Sequence, residues 1–141
     1  MMKFMPGKAI LNDFLFQNLN EAQKKVVLHK NGPLLVLAGA GSGKTKSISH
    51  RIAHLISRGI EPEKILAITF TNKAAEEMRE RIMSLLRNLQ PPIHDSHNPF
   101  VSTFHALGVY ILRKSGKKIG VTKNFSILDK EDSLAVLKTA T

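Results

Sequence analysis

Glycines at 39, 41 and 43 lead without a break into Lys44 and Thr45, and that spacing of residue types suits one kind of ligand. Glycine reaches positive φ without steric cost, so successive N–H groups can crowd toward one centre and form an anion-binding nest. Lys44 adds an ammonium able to reach β/γ-phosphates, and the Thr45 hydroxyl is a ligand for Mg²⁺. The apolar run Leu34-Leu35-Val36-Leu37-Ala38 just upstream has the length and composition of a fully buried parallel strand. The helix expected downstream aims its positive dipole end at the same anion. We read a Walker A loop in which the main chain of Ala40, Gly41, Ser42, Gly43, Lys44 and Thr45 cradles the phosphates, with Lys44 and Thr45 as the candidate catalytic residues. The general pattern G-x-x-x-x-G-K-[ST] asks for glycine where this chain has Ala38. A strand-to-helix turn with an incidental Gly-Lys-Thr is the bland alternative, and the motif by itself implies a bound triphosphate, not a reaction.

The elements that must position this loop come from a chain of 141 residues, enough for one ordinary core. Its 43% hydrophobic and 23% charged residues are those of a globular chain, and it has no cysteine for disulfides or thiolate metal sites. No segment resembles a membrane span or an export leader, so a cytoplasmic location without membrane partners is expected. Net charge is +10 and unevenly placed: residues 22–60 and 96–128 contain no Asp or Glu. The first stretch carries Lys24, Lys25, Lys30, Lys44, Lys46, Arg51 and Arg58, and the second Arg113, Lys114, Lys117, Lys118 and Lys123. Such fields attract polyanions, although a basic surface also serves solubility alone.

Ile10, Leu11, Phe14 and Leu15 recur at helical spacing in a lead-in segment. At Asn20 and Gln23 the chain offers a capping box, which needs no ligand to explain its glutamine. Ile48, Ile52, Leu55 and Ile56 predict the inward stripe of a helix ended by Gly59. His50 and His54 lie four apart on it, facing solvent by this reading and without a third metal ligand. Residues 65–69 predict a second buried strand. Thr71 or Asn72 then caps a helix whose inner face is Met78, Ile82, Leu85, Leu86 and Leu89. Phe70 to Asn72 fall at the strand's carboxyl end, where ligands of open α/β sheets gather. Phe70 could stack on a base or simply pack beneath the loop. A proline-rich connection over 90–99 precedes a third strand at 100–102. Thr103 and His105 open the next helix, with Leu107, Tyr110, Ile111 and Leu112, and Asp129 caps a last one. Its run to Thr141 without a C-cap signal fits a truncated chain. Three strand-then-helix units imply an α/β fold with a mainly parallel sheet.

Four ordered motifs closely resemble the UvrD/Rep/PcrA family of superfamily 1 DNA helicases: Leu-Asn-Glu-Ala-Gln at 19–23, Ala-Gly-Ala-Gly-Ser-Gly-Lys-Thr at 38–45, Ile-Thr-Phe-Thr-Asn-Lys-Ala-Ala at 68–75 and Ser-Thr-Phe-His at 102–105. The family's loop has the form A-x-x-G-x-G-K-T, which accounts for Ala38. The resemblance implies that Gln23 selects the adenine of ATP and that Phe70, Thr71 and Asn72 touch single-stranded DNA. It implies also that Thr103 and His105 hold DNA phosphates. Lys46 stands where the family commonly places an arginine packed on adenine, and an ammonium lacks that planar face.

What the resemblance implies for the whole is an incomplete RecA-like, three-layer P-loop NTPase fold: a lead-in helix over 1–18, the first part of motor domain 1A over 19–115, and a connection into the inserted subdomain 1B over 116–141. The activity implied is ATP- and Mg²⁺-dependent 3′→5′ helicase or translocase work on single-stranded DNA and duplex junctions during repair or replication. The family's Walker B carboxylates and later arginines lie outside these residues, so the chain is expected to bind ATP and hydrolyse it poorly without the remaining motor. Two other classes fit parts of the pattern: a P-loop nucleotide or small-molecule kinase, and a non-catalytic nucleic-acid-binding remnant.

Overall fold

The computed structural model describes residues 14–89, 98–128 and 130–139. The chain divides into two compact units, one ending at Thr103 and one beginning at Phe104. In the first, helix α1 (Glu21–Leu28) is followed by α2 (Lys44–Ser57), strand β1 (Leu66–Thr69), α3 (Asn72–Arg87) and strand β2 (Phe100–Thr103). The strands pair in parallel with Leu66 opposite Phe100 and Thr69 opposite Thr103. Parallel neighbours require a crossover, and α3 lies within it. The described sheet is therefore two-stranded, and the fold is mixed α/β.

The α3 helix is the hub of the core because its apolar residues recur every three or four positions. Met78, Ile82, Leu85, Leu86 and Leu89 are all buried as the periodicity predicts, together with Ala75 and Met83. They pack with Ile52, Ala53 and Ile56 of α2, Ala67 of β1 and Val101 of β2. Thr71 is the cap: its Oγ1 accepts a hydrogen bond from the N–H of Ala74 at 3.1 Å. Gly59, at φ +92°, follows the C-terminus of α2 in the left-handed conformation usual there.

Three expectations are corrected. Residues 33–39 carry neither strand nor helix, and Leu35 and Leu37 are 82% and 86% exposed. An apolar run becomes a buried strand only where neighbours supply a hydrogen-bonded ladder on its edges and a layer on its faces, and no described segment does so for this one. For the same reason residues 65–69 are not fully buried; within β1 only Ala67 is, and Leu66 lies exposed. The buried stripe of α2 is also rotated from the expected one. Ile48 is exposed, whereas Ser49, His50 and Ala53 are buried with Ile52 and Ile56.

His50 therefore does not face solvent: its Nδ1 donates to the carbonyl of Leu15 at 2.7 Å, fixing a lead-in residue that is itself fully buried. Phe14 packs against the same core. Ile10 and Leu11 of the lead-in, the connection at 90–97 and the Asp129 cap lie outside the described residues.

The second unit contains α4 (Phe104–Ser115), a 3₁₀ turn at Gly116–Ile119 and α5 (Lys130–Thr139). The turn closes with Val121 N–H donating to Gly116 O at 3.0 Å, and Gly120 takes φ +82°. No residue of α4 is buried. The Lys114 ammonium stands 5.7 Å from the centre of the Tyr110 ring, within cation–π range. No helix among the described residues is long and apolar enough to cross a membrane.

Candidate functional site

The capping box forms as the local sequence predicts. Asn20 Oδ1 accepts from Gln23 N–H at 2.9 Å, and Gln23 Oε1 accepts from Asn20 N–H at 3.1 Å. The same glutamine does something that a cap does not require. Its Nε2 donates to the carbonyl of Ser42 at 3.0 Å, tying α1 to the glycine loop nineteen residues on. With an acceptor on one side and a donor on the other, the two bonds set which way the carboxamide faces.

Two of the loop's three glycines take the positive φ expected of them, and Gly39 does not. Gly41 and Gly43 hold φ +74° and +83°, and Gly43 is the N-cap of α2. No heavy atom lies within 4 Å of where a Cβ would stand on Gly39 or Gly41, so that side of the loop is open. Ser42 steadies the turn by donating its hydroxyl to Gly39 O at 2.8 Å. Lys44 folds back over it, its Nζ donating to Ala38 O at 2.7 Å and Gly39 O at 2.6 Å. A cation held by neutral carbonyls, beside the positive end of a 14-residue helix, is a fit for an anionic ligand. Thr45 is exposed at the first turn of α2. Ser47 and Ser49 are buried and satisfied, donating to Gly43 O and Thr45 O.

Lys46, a candidate cofactor-binding residue, is held by the lead-in segment. Its ammonium donates to the carbonyl of Asn18, whose φ of +64° makes it the one described non-glycine in the left-handed region. Arg51 was not singled out as a site residue, yet its Nη1 donates to the carbonyls of Val26, Val27 and His29. Its signal in the sequence is only positional, seven residues after Lys44 and so on the same helix face. Val26, Gly32, Leu34, Val36, Lys44 and Arg51 line part of a cavity of about 430 Å³ beside the loop.

The other candidate residues lie at strand ends. Thr69 and Thr103 are register partners of a parallel pair, so the backbones of Phe70 and Thr103 leave the sheet at the same edge. Phe70 is 89% exposed, Thr71 caps α3, and Asn72 is its first residue. Thr103 is buried at the end of β2. His105 is exposed in the first turn of α4 and belongs to the second unit. Among the described residues no three His, Asp or Glu side chains gather as a metal site.

Two histidines of α2 are held below the ordinary imidazole range. Burial is the largest cause for His50, helped by Lys46 and Arg81 and opposed by the bond to Leu15. For His54 burial again leads, followed by Arg58 and Arg51. His54 also meets the Phe16 ring, with centroids 5.5 Å apart.

Comparison with known proteins gives a consistent result. The sequence profile of the UvrD/REP helicase N-terminal domain matches residues 19–141. The ATP-dependent DNA helicase PcrA of Leuconostoc citreum is 50% identical over 125 residues, which are 88% of this chain and 16% of that protein. The protein of the same name from Bacillus subtilis (strain 168) is 48% identical over 129 residues, 91% of this chain and 17% of its own length. That of Staphylococcus aureus (strain Mu50 / ATCC 700699) is 44% identical over 125 residues, 88% of this chain and 16% of the relative.

Proposed function

Because the chain belongs to the UvrD/REP helicase N-terminal domain family, we propose that it is the ATP-binding part of the first motor domain of a 3′→5′ DNA helicase or translocase. The whole enzyme, of whose relatives this chain spans 16% to 17%, acts on single-stranded DNA and duplex junctions in repair or replication. One observation carries the reading: a single carboxamide, that of Gln23, is bonded to the same loop over which Lys44 is folded. Base recognition and phosphate recognition thus share one local framework.

Gln23 is suited to adenine for a reason of valence. A carboxamide has two N–H donors and two carbonyl lone pairs, and the bonds to Asn20 and Ser42 use one of each. The remaining donor and acceptor match the N7 acceptor and N6 donor of adenine, whereas guanine presents acceptors at both places. Lys44 exchanges carbonyl partners for phosphate oxygens, Gly41 and Gly43 offer their N–H groups to the same anion, and Thr45 is the residue to hold Mg²⁺. When bound, that ion neutralises charge building on the phosphates. Turnover depends on carboxylates and arginines from the rest of the protein, so the chain alone binds ATP and scarcely hydrolyses it. In the complete three-layer P-loop NTPase fold, residues 34–38 become a buried parallel strand. Residues 19–115 belong to the first motor subdomain, and 116–141 lead into the inserted one. Phe70, Thr71, Asn72 and Thr103 form the DNA edge of the first unit, and His105 is the candidate phosphate contact of the second.

Calorimetric titration with Mg²⁺-ATP tests the core of this reading. Lys44→Ala should lose most of the affinity, by an estimated 2 kcal/mol or more from roughly 1.5–3 kcal/mol per charged hydrogen bond, with an unchanged circular dichroism spectrum. Equal affinity in the variant overturns the loop assignment.

A further inference from the structure

Arg51 has no part in the reading above, although its surroundings are unusual for a helix-surface arginine. Its Nη1 lies 2.6 Å from His29 O, 2.9 Å from Val26 O and 3.4 Å from Val27 O. These carbonyls belong to the last turn of α1 and the residue that ends it. Val27 O and His29 O are of the kind that a helix C-terminus leaves to outside donors, at the negative end of its dipole, while Val26 O is shared with the N–H of His29. A guanidinium satisfies them as donor and as charge at once.

At its other end the same helix carries Gln23, bonded to Ser42 O. With eight residues, α1 is too short to hold itself in place. It is therefore located by what it touches: Val27 buried beneath it, the loop at its first turn, and Arg51 at its last. Both polar attachments run to the phosphate loop or the helix that the loop opens.

We propose that Arg51 is a positioning residue for base selection, holding α1 to α2 so that the Gln23 carboxamide meets the base at one fixed angle. The proposal rests on the reading of Gln23 as the adenine-selecting group. Hydrogen bonds weaken steeply as they bend, so a carboxamide on a helix free to pivot loses its preference for one base edge before it loses contact altogether. Phosphate affinity, set by Lys44 and the loop backbone, is untouched by that pivot. Arg51 thereby acts on the ratio between nucleotides and not on triphosphate binding in general. A guanidinium suits this role better than an ammonium because its planar fork holds an orientation, which a point charge on a flexible stem does not.

The test is calorimetric titration of the chain with Mg²⁺-ATP and Mg²⁺-GTP, alongside Gln23→Ala, Arg51→Ala, Arg51→Lys and the Gln23→Ala/Arg51→Ala pair. Gln23→Ala should reduce the ATP-to-GTP affinity ratio about tenfold. Arg51→Ala should reduce it by roughly threefold or more through weaker ATP binding, with GTP nearly unchanged, and should add nothing in the Gln23→Ala background. Arg51→Lys should fall between wild type and Arg51→Ala. In the amide spectrum of ¹⁵N-labelled Arg51→Ala, the side-chain NH₂ pair of Gln23 should shift. If Arg51→Ala fails to fold, Arg51→Lys decides by the same ratio. An unchanged ratio, or ATP and GTP weakened by the same factor, overturns the proposal. A wild-type preference lost in Gln23→Ala but kept in the Arg51 variants overturns it alone, whereas a wild type indifferent to base overturns the Gln23 reading as well.

Discussion

A Cβ built on Gly43 would stand 2.6 Å from Nε2 of Gln23, at a residue whose φ is +83°. Glycine is required there twice, for the backbone conformation and for the approach of the glutamine. Gly43→Ala should cost about 1–2 kcal/mol in left-handed strain and also displace Gln23 from Ser42. Gly41→Ala, at φ +74° with open space around it, should carry the strain alone. Urea unfolding gives the first effect, and the ATP-to-GTP ratio should fall only in the Gly43 variant. An ATP-to-GTP ratio unchanged in Gly43→Ala would remove the contact from the account.

The two imidazoles of α2, His50 buried and His54 half-buried, predict acid sensitivity. His50 and His54 are both shifted below their usual value of 6.5, first by burial. The folded state therefore takes up protons later than the unfolded state as pH falls. The stability they contribute is complete above pH 6.5, declines below it, and is gone once pH has passed their folded values. Denaturant midpoints should be flat from pH 8 to about 7 and drop on the way to pH 5.5, by at most ~1.4 kcal/mol per pH unit per group. His50→Gln should flatten that slope. A midpoint constant down to pH 5.5 contradicts the burial argument.

Leu86 is fully buried on α3, whereas Leu137 of α5 is 64% exposed. Leu86→Ala should destabilise the chain by about 2–5 kcal/mol and Leu137→Ala by no more than about 0.5. Similar losses in thermal or urea unfolding would mean that α5 is packed in solution.

Phe70, 89% exposed, contributes little to the core. Phe70→Ala should weaken binding of a labelled single-stranded oligonucleotide by about 1–3 kcal/mol if a base stacks on it, with little change in melting temperature. Fluorescence anisotropy in the whole enzyme, with wild type and variant at one fixed salt concentration, checks both halves. Undiminished binding there removes Phe70 from the DNA edge.

Local signals were legible in the sequence where the residues that satisfy them are also local. The inner face of α3 follows from its period, the Asn20–Gln23 box from a three-residue spacing, and the end of α2 from Gly59. Long-range bonds leave no such trace. His50 meets Leu15 across 35 positions and Arg51 meets His29 across 22, and nothing in either neighbourhood announces the partner. The rotation of α2 has the same origin, since accepting Leu15 against the core turns His50 inward in place of Ile48. Residues 34–38 show the opposite failure. Their composition states what they need, but a strand is a property of its neighbours too.

The family's profile begins at residue 19, but the side chain of Leu15 is completely enclosed and its carbonyl is bonded to His50. The stretch the profile covers is thus shorter than the stretch that must be kept together. Trimming the gene to residues 19–141 would open a leucine-sized hole beside α2 and strand an imidazole without its acceptor, so a shortened protein that melts early reports on that cut and not on the nucleotide site.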